Sequence, residues 1–196
     1  MSLEKINIRN FILILIIVAA AATRFLPLGN LASWFNFTPI GAMALFGGAY
    51  FSDKIKAYCI PLITLFVSDL VLNTTIYKNV DGKFDAAVWT YISFLLMVFV
   101  GTYIKKVGVR SVILASIAAT FIHWIVSDIS VVLMAGSMYP KTFGGYLTAL
   151  VAAIPFERNF LVSNLIFSFL MFGGFELAKM KFPALSFNRN TELQAS

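Results

Sequence analysis

Six apolar runs, separated by short stretches that hold most of the charge, limit what this 196-residue chain can fold into. They fall at about 11–26, 36–51, 57–74, 86–104, 110–135 and 159–178, and a polar tail follows at 179–196. A helix needs about 20 residues to cross a hydrocarbon core roughly 30 Å thick, and runs of this length are the signal of such crossings. The composition agrees: 60% of the residues are hydrophobic and 12% charged, with a mean hydropathy of +0.87. Soluble domains are about half apolar and about a quarter charged, so water is not the main solvent of this chain. The sequence therefore predicts an all-α, polytopic membrane protein with six transmembrane helices in one domain, residues 1–178. The first run is expected to stay as a span, because it lacks a cleavage site for a signal peptide and Arg24 and Pro27 follow it.

Lysine and arginine set the expected orientation. An inside N-terminus puts Lys5, Arg9, Lys54, Lys56, Lys105, Lys106, Arg110, Lys179, Lys181 and Arg189 on the cytoplasmic face. Arg24, Lys78, Lys83, Lys141 and Arg158 then lie outside, a division of ten against five. Asp81 and Asp85 offset one outer loop and Glu157 the other. This bias is the positive-inside pattern, and both termini are predicted to be cytoplasmic in a cell (inner) membrane. It also accounts for the net charge of +6 without a nucleic-acid partner. A single cysteine, Cys59, excludes an internal disulfide and a thiolate-rich metal site. No cofactor is expected, and Cys59, without a basic neighbour, is expected to be a buried, inert thiol.

Two segments depart from simple crossings. Thr38-Pro39 is a helix-start signal, with Thr38 as the cap and Pro39 in the first turn. The second helix then has about 13 residues, roughly 20 Å, and 31–37 must complete its crossing as non-helical chain enclosed by protein or lining a cavity. Residues 143–154 are apolar but too short to span, and Gly144-Gly145 and Pro155 bound them. They read as a re-entrant or surface segment before the sixth helix. A faint repeat, Val67-Ser68-Asp69 and Val126-Ser127-Asp128, is the kind of echo a parallel duplication leaves.

Ionisable and amide groups inside spans are the chemistry candidates, since they are costly there and face a cavity or a partner. Asp69, with Asn73 one turn on, and Asp128, with Trp124 one turn before, lie in outer thirds of their helices. His123 lies near mid-membrane; Arg24, Asn36, Arg158, Asn159 and Asn164 are in the outer half, and the inner half has Glu176 and little else. That asymmetry predicts an outward-facing polar pocket over an apolar inner plug. For Asp69 and Asp128 two readings stand, ligand contact or helix-tying pairs with Arg24 and Arg158. His123 reads as an interhelical donor or a ligand group, and Trp34, Trp89 and Tyr139 as interface anchors. Gly41, Gly47, Gly48, Gly173 and Gly174 read as close-packing positions. No nucleophile elbow, zinc-helix motif or phosphate loop occurs, so an enzyme is the minority reading.

Asn36-Phe37-Thr38-Pro39-Ile40-Gly41-Ala42, Ala44-Leu45-Phe46-Gly47-Gly48-Ala49, Pro61-Leu62 with Ser68-Asp69, and Pro155-Phe156 with Asn159 resemble an uncharacterised bacterial family of small six-span membrane proteins. That family resembles the substrate-binding S-components of energy-coupling factor transporters. The resemblance implies an S-component-like bundle that captures a small vitamin-like molecule from the outer side, beside a transmembrane coupling subunit with ATPases. S-components often dock through an Ala-x-x-x-Ala face on the first helix; here only Ala19 and Thr23 have that spacing. The expected pocket is Asn36, Asp69, Asn73, His123, Asp128, Arg158 and Asn159, with membrane lipid as the other contact. The alternative is a membrane-embedded enzyme or assembly factor using Asp69, His123 and Asp128 on a lipid-borne substrate.

Overall fold

The computed structural model describes residues 3–26, 36–75 and 83–186. Expectations for Trp34, for 31–35, for Lys78 and Asp81 and for the tail beyond 186 lie outside them. In chain order the helices are α1 (Leu3–Ala22), α2 (Ile40–Tyr50), α3 (Lys54–Thr75), α4 (Lys83–Thr102), α5 (Val109–Ser127), α6 (Ile129–Leu133) and α7 (Phe143–Lys181), and a 3-10 turn, Thr23–Phe25, extends α1. Among the described residues there is no strand.

Each start and stop has a local cause. Asp53 accepts from the amides of Ile55 and Lys56 at 2.8 and 3.4 Å and so caps α3. Thr142 accepts from the Gly145 amide at 3.1 Å and caps α7. Helix α2 starts one residue after Pro39, close to expectation, but Thr38 does not cap it: the Thr38 hydroxyl oxygen is buried without a partner among the described residues. The fifth apolar run breaks at Asp128, which separates α5 from the five-residue α6.

Among the described residues four helices are long and apolar enough to cross a membrane: Ile8–Phe25, Lys54–Thr75, Val109–Leu133 and Phe143–Lys181. Two shorter apolar helices, Ile40–Tyr50 and Val88–Thr102, accompany them. The six-span count is thus met by only four helices of spanning length. The main shortfall is α2, whose eleven residues reach about 16 Å at 1.5 Å per residue. The second correction concerns 143–154, which form no separate re-entrant or surface element. They are the first third of the 39-residue α7, which runs straight through Pro155. Proline removes one helical donor, leaving the Val151 carbonyl without its usual bond. Trp124 Nε1 donates to the Leu150 carbonyl at 3.0 Å and Tyr146 OH to the Ile125 carbonyl at 2.5 Å, and these side chains tie this part of α7 to α5.

Helix α2 is the axis. All of its residues except Ala49 are buried, against α1, α3, α4, α5 and α7. A helix apolar on every face belongs in the centre of a bundle. Phe46 and Tyr50 stack into Phe172 and Phe175 of α7 with ring centroids 4.6–5.8 Å apart. On the other side α2 meets α4 backbone to backbone. A Cβ on Gly48 would lie 2.2 Å from the Val98 carbonyl oxygen, and one on Gly101 would lie 2.5 Å from that of Leu45. Gly47 similarly faces Pro61 of α3, and Gly41 faces the Asn164 amide of α7. The expected packing role thus holds for Gly41, Gly47 and Gly48. It fails for Gly173 and Gly174, which have nothing within 4 Å. Cys59 is also not buried; it lies on the exposed surface of α3.

With the short α2 counted, α1 to α5 alternate in direction and α7 returns against α5, which gives the bundle two distinct ends. One gathers Arg24, Ser68, Asp69 and Tyr91; the other gathers Arg9, Tyr50 and Glu176. They are called here the Arg24 end and the Arg9 end.

Gly48→Ala or Gly101→Ala should cost about 1–3 kcal/mol by forcing α2 and α4 apart. Gly174→Ala, in open space, should be neutral or gain up to about 1 kcal/mol of helix propensity. Thermal unfolding in detergent reads both, and an unchanged midpoint for Gly48→Ala would contradict the close approach.

Candidate functional site

Polar side chains at the Arg24 end form two separate groups. In the first, Arg24 Nη2 lies 2.7 Å from Asp69 Oδ1, and the same guanidinium donates to the Ser68 hydroxyl. Tyr91 OH donates to Asp69 Oδ2 at 2.9 Å. Both carboxylate oxygens are therefore engaged, and the three groups tie the end of α1 to α3 and α4. Of the two readings open for Asp69, the structure shows the pair with Arg24. Asn73, one turn on, is half-buried and makes no side-chain hydrogen bond among the described residues.

The second group centres on Glu157, which is only 5% exposed. His123 Nδ1 of α5 lies 2.9 and 3.2 Å from its two oxygens. Asn36 Nδ2 reaches Oε1 at 3.5 Å from a left-handed backbone, φ 64°, a conformation asparagine tolerates better than most residues. The imidazole lies flat on Phe160, with centroids 4.1 Å apart and planes 22° apart. Facing a carboxylate, Nδ1 is the protonated nitrogen, so the contact fixes the tautomer and ring orientation. Nε2 makes no hydrogen bond among the described residues. Asp128, at the end of α5, has a buried Oδ2 with no partner among the described residues.

Beneath this dyad a seam of small polar groups runs between α2, α5 and α7. Asn164, fully buried, donates from Nδ2 to the Ser116 carbonyl at 3.0 Å and to Thr120 Oγ1 at 3.5 Å. Ser116 meets Ser168 at 3.1 Å, and Ser163 donates to the Thr38 carbonyl at 3.0 Å. Asn164 Oδ1, like Thr38 Oγ1, has no partner among the described residues. Gly41 makes the room, because a Cβ there would lie 2.8 Å from the Asn164 amide. Among the described residues no three His, Cys, Asp or Glu side chains cluster closely enough to hold a metal.

The expected pocket residues therefore separate. Asn36 and His123 meet at Glu157, and Asp128 ends the same helix one turn beyond His123. Asp69 belongs to the Arg24 group. Asn159 is half-buried on α7; Arg158 is exposed, and the pair expected between it and Asp128 does not form among the described residues. Glu157 was expected only as a loop charge beside Arg158, yet it is the centre of the site. A signal existed: Glu157, Phe160 and Asn164 have the i, i+3, i+7 spacing of one helix face, visible once a helix is allowed to run through Pro155. Ser116, Thr120, His123 and Ser127 give the matching stripe on α5. The two Val-Ser-Asp copies also differ: Asp69 lies inside α3 and is paired, whereas Asp128 terminates α5.

The apolar helices, with ionisable groups sequestered between them, define a helical membrane protein. The chain belongs to DUF6580, a family of unknown function whose pattern it matches over residues 4–185. No curated protein and no solved structure matches it.

Asp69→Asn removes the charge that Arg24 faces and should cost about 1–3 kcal/mol, as losing the charged partner of a part-buried pair does. Replacing both Arg24 and Asp69 by leucine should restore a large part of that loss. Unfolding midpoints of the two variants test this; equal loss in the single and double variants would count against a tying role.

Proposed function

We propose that this protein is a membrane-embedded capture or transport protein for a small polar molecule, which enters at the Arg24 end and contacts the His123–Glu157 dyad. The observation that carries the proposal is the pairing of a buried imidazole and carboxylate beside the unpartnered Asp128 oxygen, inside an otherwise apolar bundle. Ionisable groups in a membrane interior are costly and mark pathways or binding sites by default. The imidazole is locked on one nitrogen and one face, which leaves Nε2 to meet a ligand. Asn36, on the segment leading into α2, can report occupancy through Glu157, and Asp128 adds a second anionic contact.

In this proposal α2 and α4 complete six passes in a cell membrane. Among described residues, Arg9, Lys54, Lys56, Lys105, Lys106, Arg110, Lys179 and Lys181 belong to the Arg9 end. Arg24, Lys141 and Arg158 belong to the other. This bias supports a cytoplasmic Arg9 end and an outward-facing dyad. An outward capture site on a small bundle also suits an S-component-like role, with a vitamin-like ligand and delivery beside a coupling subunit and ATPases. The rival reading takes the imidazole–carboxylate pair as a general base with its orienting partner, acting on a lipid-borne substrate.

Native mass spectrometry of the gently purified protein, with identification of co-purifying small molecules, separates the two. Capture predicts a stoichiometric ligand whose affinity falls about 5- to 150-fold, equivalent to about 1–3 kcal/mol, in His123→Ala or Glu157→Gln. Catalysis predicts that these variants keep binding a lipid-borne substrate while turnover falls by about two orders of magnitude or more. A folded protein that never carries a small molecule would overturn the capture reading.

A further inference from the structure

At the Arg9 end the ends of α1, α2, α3, α4 and α7 surround an open recess of about 930 Å³. Arg9, Lys54, Lys105, Lys106 and Lys179 line it, with Glu176 as the one carboxylate among the described residues. Glu176 is already occupied: it accepts from Tyr50 OH at 2.5 Å and from Lys179 Nζ at 2.9 Å. Arg9, 7% exposed, donates from Nη2 to the Tyr50 carbonyl at 2.6 Å, which fixes its guanidinium in the floor at the C-terminal end of α2. Five cations against one anion leave four positive charges around the recess. Lys54, Lys105 and Lys106 are exposed and have no carboxylate within ion-pair distance among the described residues.

The recess also has an aromatic wall. Phe99 of α4 and Tyr103, just past its end, are 50% and 65% exposed and pack edge to face with centroids 5.0 Å apart. Above them the outer surface of α4 stays apolar through Leu95, Leu96 and Ile92. Positive charge within a cavity, an aromatic rim at a helix end and an apolar strip leading away from it fit one molecule of two parts: a phosphate and an acyl chain. We propose that this recess is a site for an anionic phospholipid of the adjacent leaflet, its phosphate among Lys54, Lys105 and Lys106 and its chain along α4 past Phe99. A free phosphate compound shares the headgroup chemistry but makes no use of the apolar strip. Lys56 and Lys181 lie at the same end outside the recess, Lys56 facing Asp53 at 3.9 Å, and so serve as controls for the general charge bias of that end.

The test uses the full chain in detergent. Native mass spectrometry and thermal unfolding are followed while dioleoyl phosphatidylglycerol, dioleoyl phosphatidylcholine or inorganic phosphate is added. The expected result is a one-to-one phosphatidylglycerol adduct with a raised unfolding midpoint, and little effect from phosphatidylcholine or phosphate. Lys105→Glu and Lys106→Glu, each made singly, should weaken that adduct at least about tenfold, while Lys56→Glu, with the same change of charge at the same end, leaves it intact. Equal binding of the two lipids, equal loss in Lys56→Glu, or protection by inorganic phosphate matching that of phosphatidylglycerol would overturn the assignment. All three lysines are exposed, so folding is not at issue in these variants.

Discussion

A helix of eleven residues cannot cross a hydrocarbon layer alone, and a bundle that contains one must enclose it. Much of this structure follows from that constraint. Helix α2 is apolar all round and has almost no exposed face. Its glycines let α3, α4 and α7 approach closely, and its two ends become the two polar regions of the protein. At one end the chain entering α2 brings Asn36 to Glu157; at the other, the last carbonyl of α2 receives Arg9. Short length and central position are thus one property, and they place polar chemistry inside the bundle without any charged residue on α2 itself.

The two polar groups at the Arg24 end differ in kind. Arg24, Asp69, Ser68 and Tyr91 satisfy one another, so that group has the character of a clasp. The His123–Glu157 group is incomplete. One imidazole nitrogen, one Asp128 oxygen and the Asn164 and Thr38 oxygens beneath them remain open among the described residues. In a low-dielectric interior an unsatisfied polar atom carries a free-energy cost that a satisfied one does not. Local incompleteness therefore points to this group, and not to the clasp, as the place where another molecule contributes.

Helix type, approximate helix positions and the early break before Ile40 were legible in the sequence, because apolar runs and the Thr38-Pro39 signal are local features. The Arg24–Asp69 pair was legible as one of two readings. Glu157 was missed because Pro155 and Gly144-Gly145 imitate the ends of a separate segment, while in the structure α7 continues through the proline and bonds at Tyr146 and Leu150 tie the part before it to α5. Of the two readings of Asp128, ligand contact or a pair with Arg158, the pair does not form among the described residues, because the helix face decides and Arg158 lies on the exposed side of α7. Gly173 and Gly174 misled for the same reason: a small residue shows where an approach can happen, and only the packing of neighbours shows where it does.

Several of the bonds between helices have one feature in common. Arg9 binds the carbonyl of Tyr50, Trp124 that of Leu150, Tyr146 that of Ile125, Asn164 that of Ser116, and Ser163 that of Thr38. In each the donor is a particular side chain and the acceptor is main chain, which every amino acid supplies. Substitution at an acceptor position needs no compensating change in its donor. Paired variation between positions, the usual trace of two residues in contact, should therefore be faint across these contacts in evolutionary records of the family.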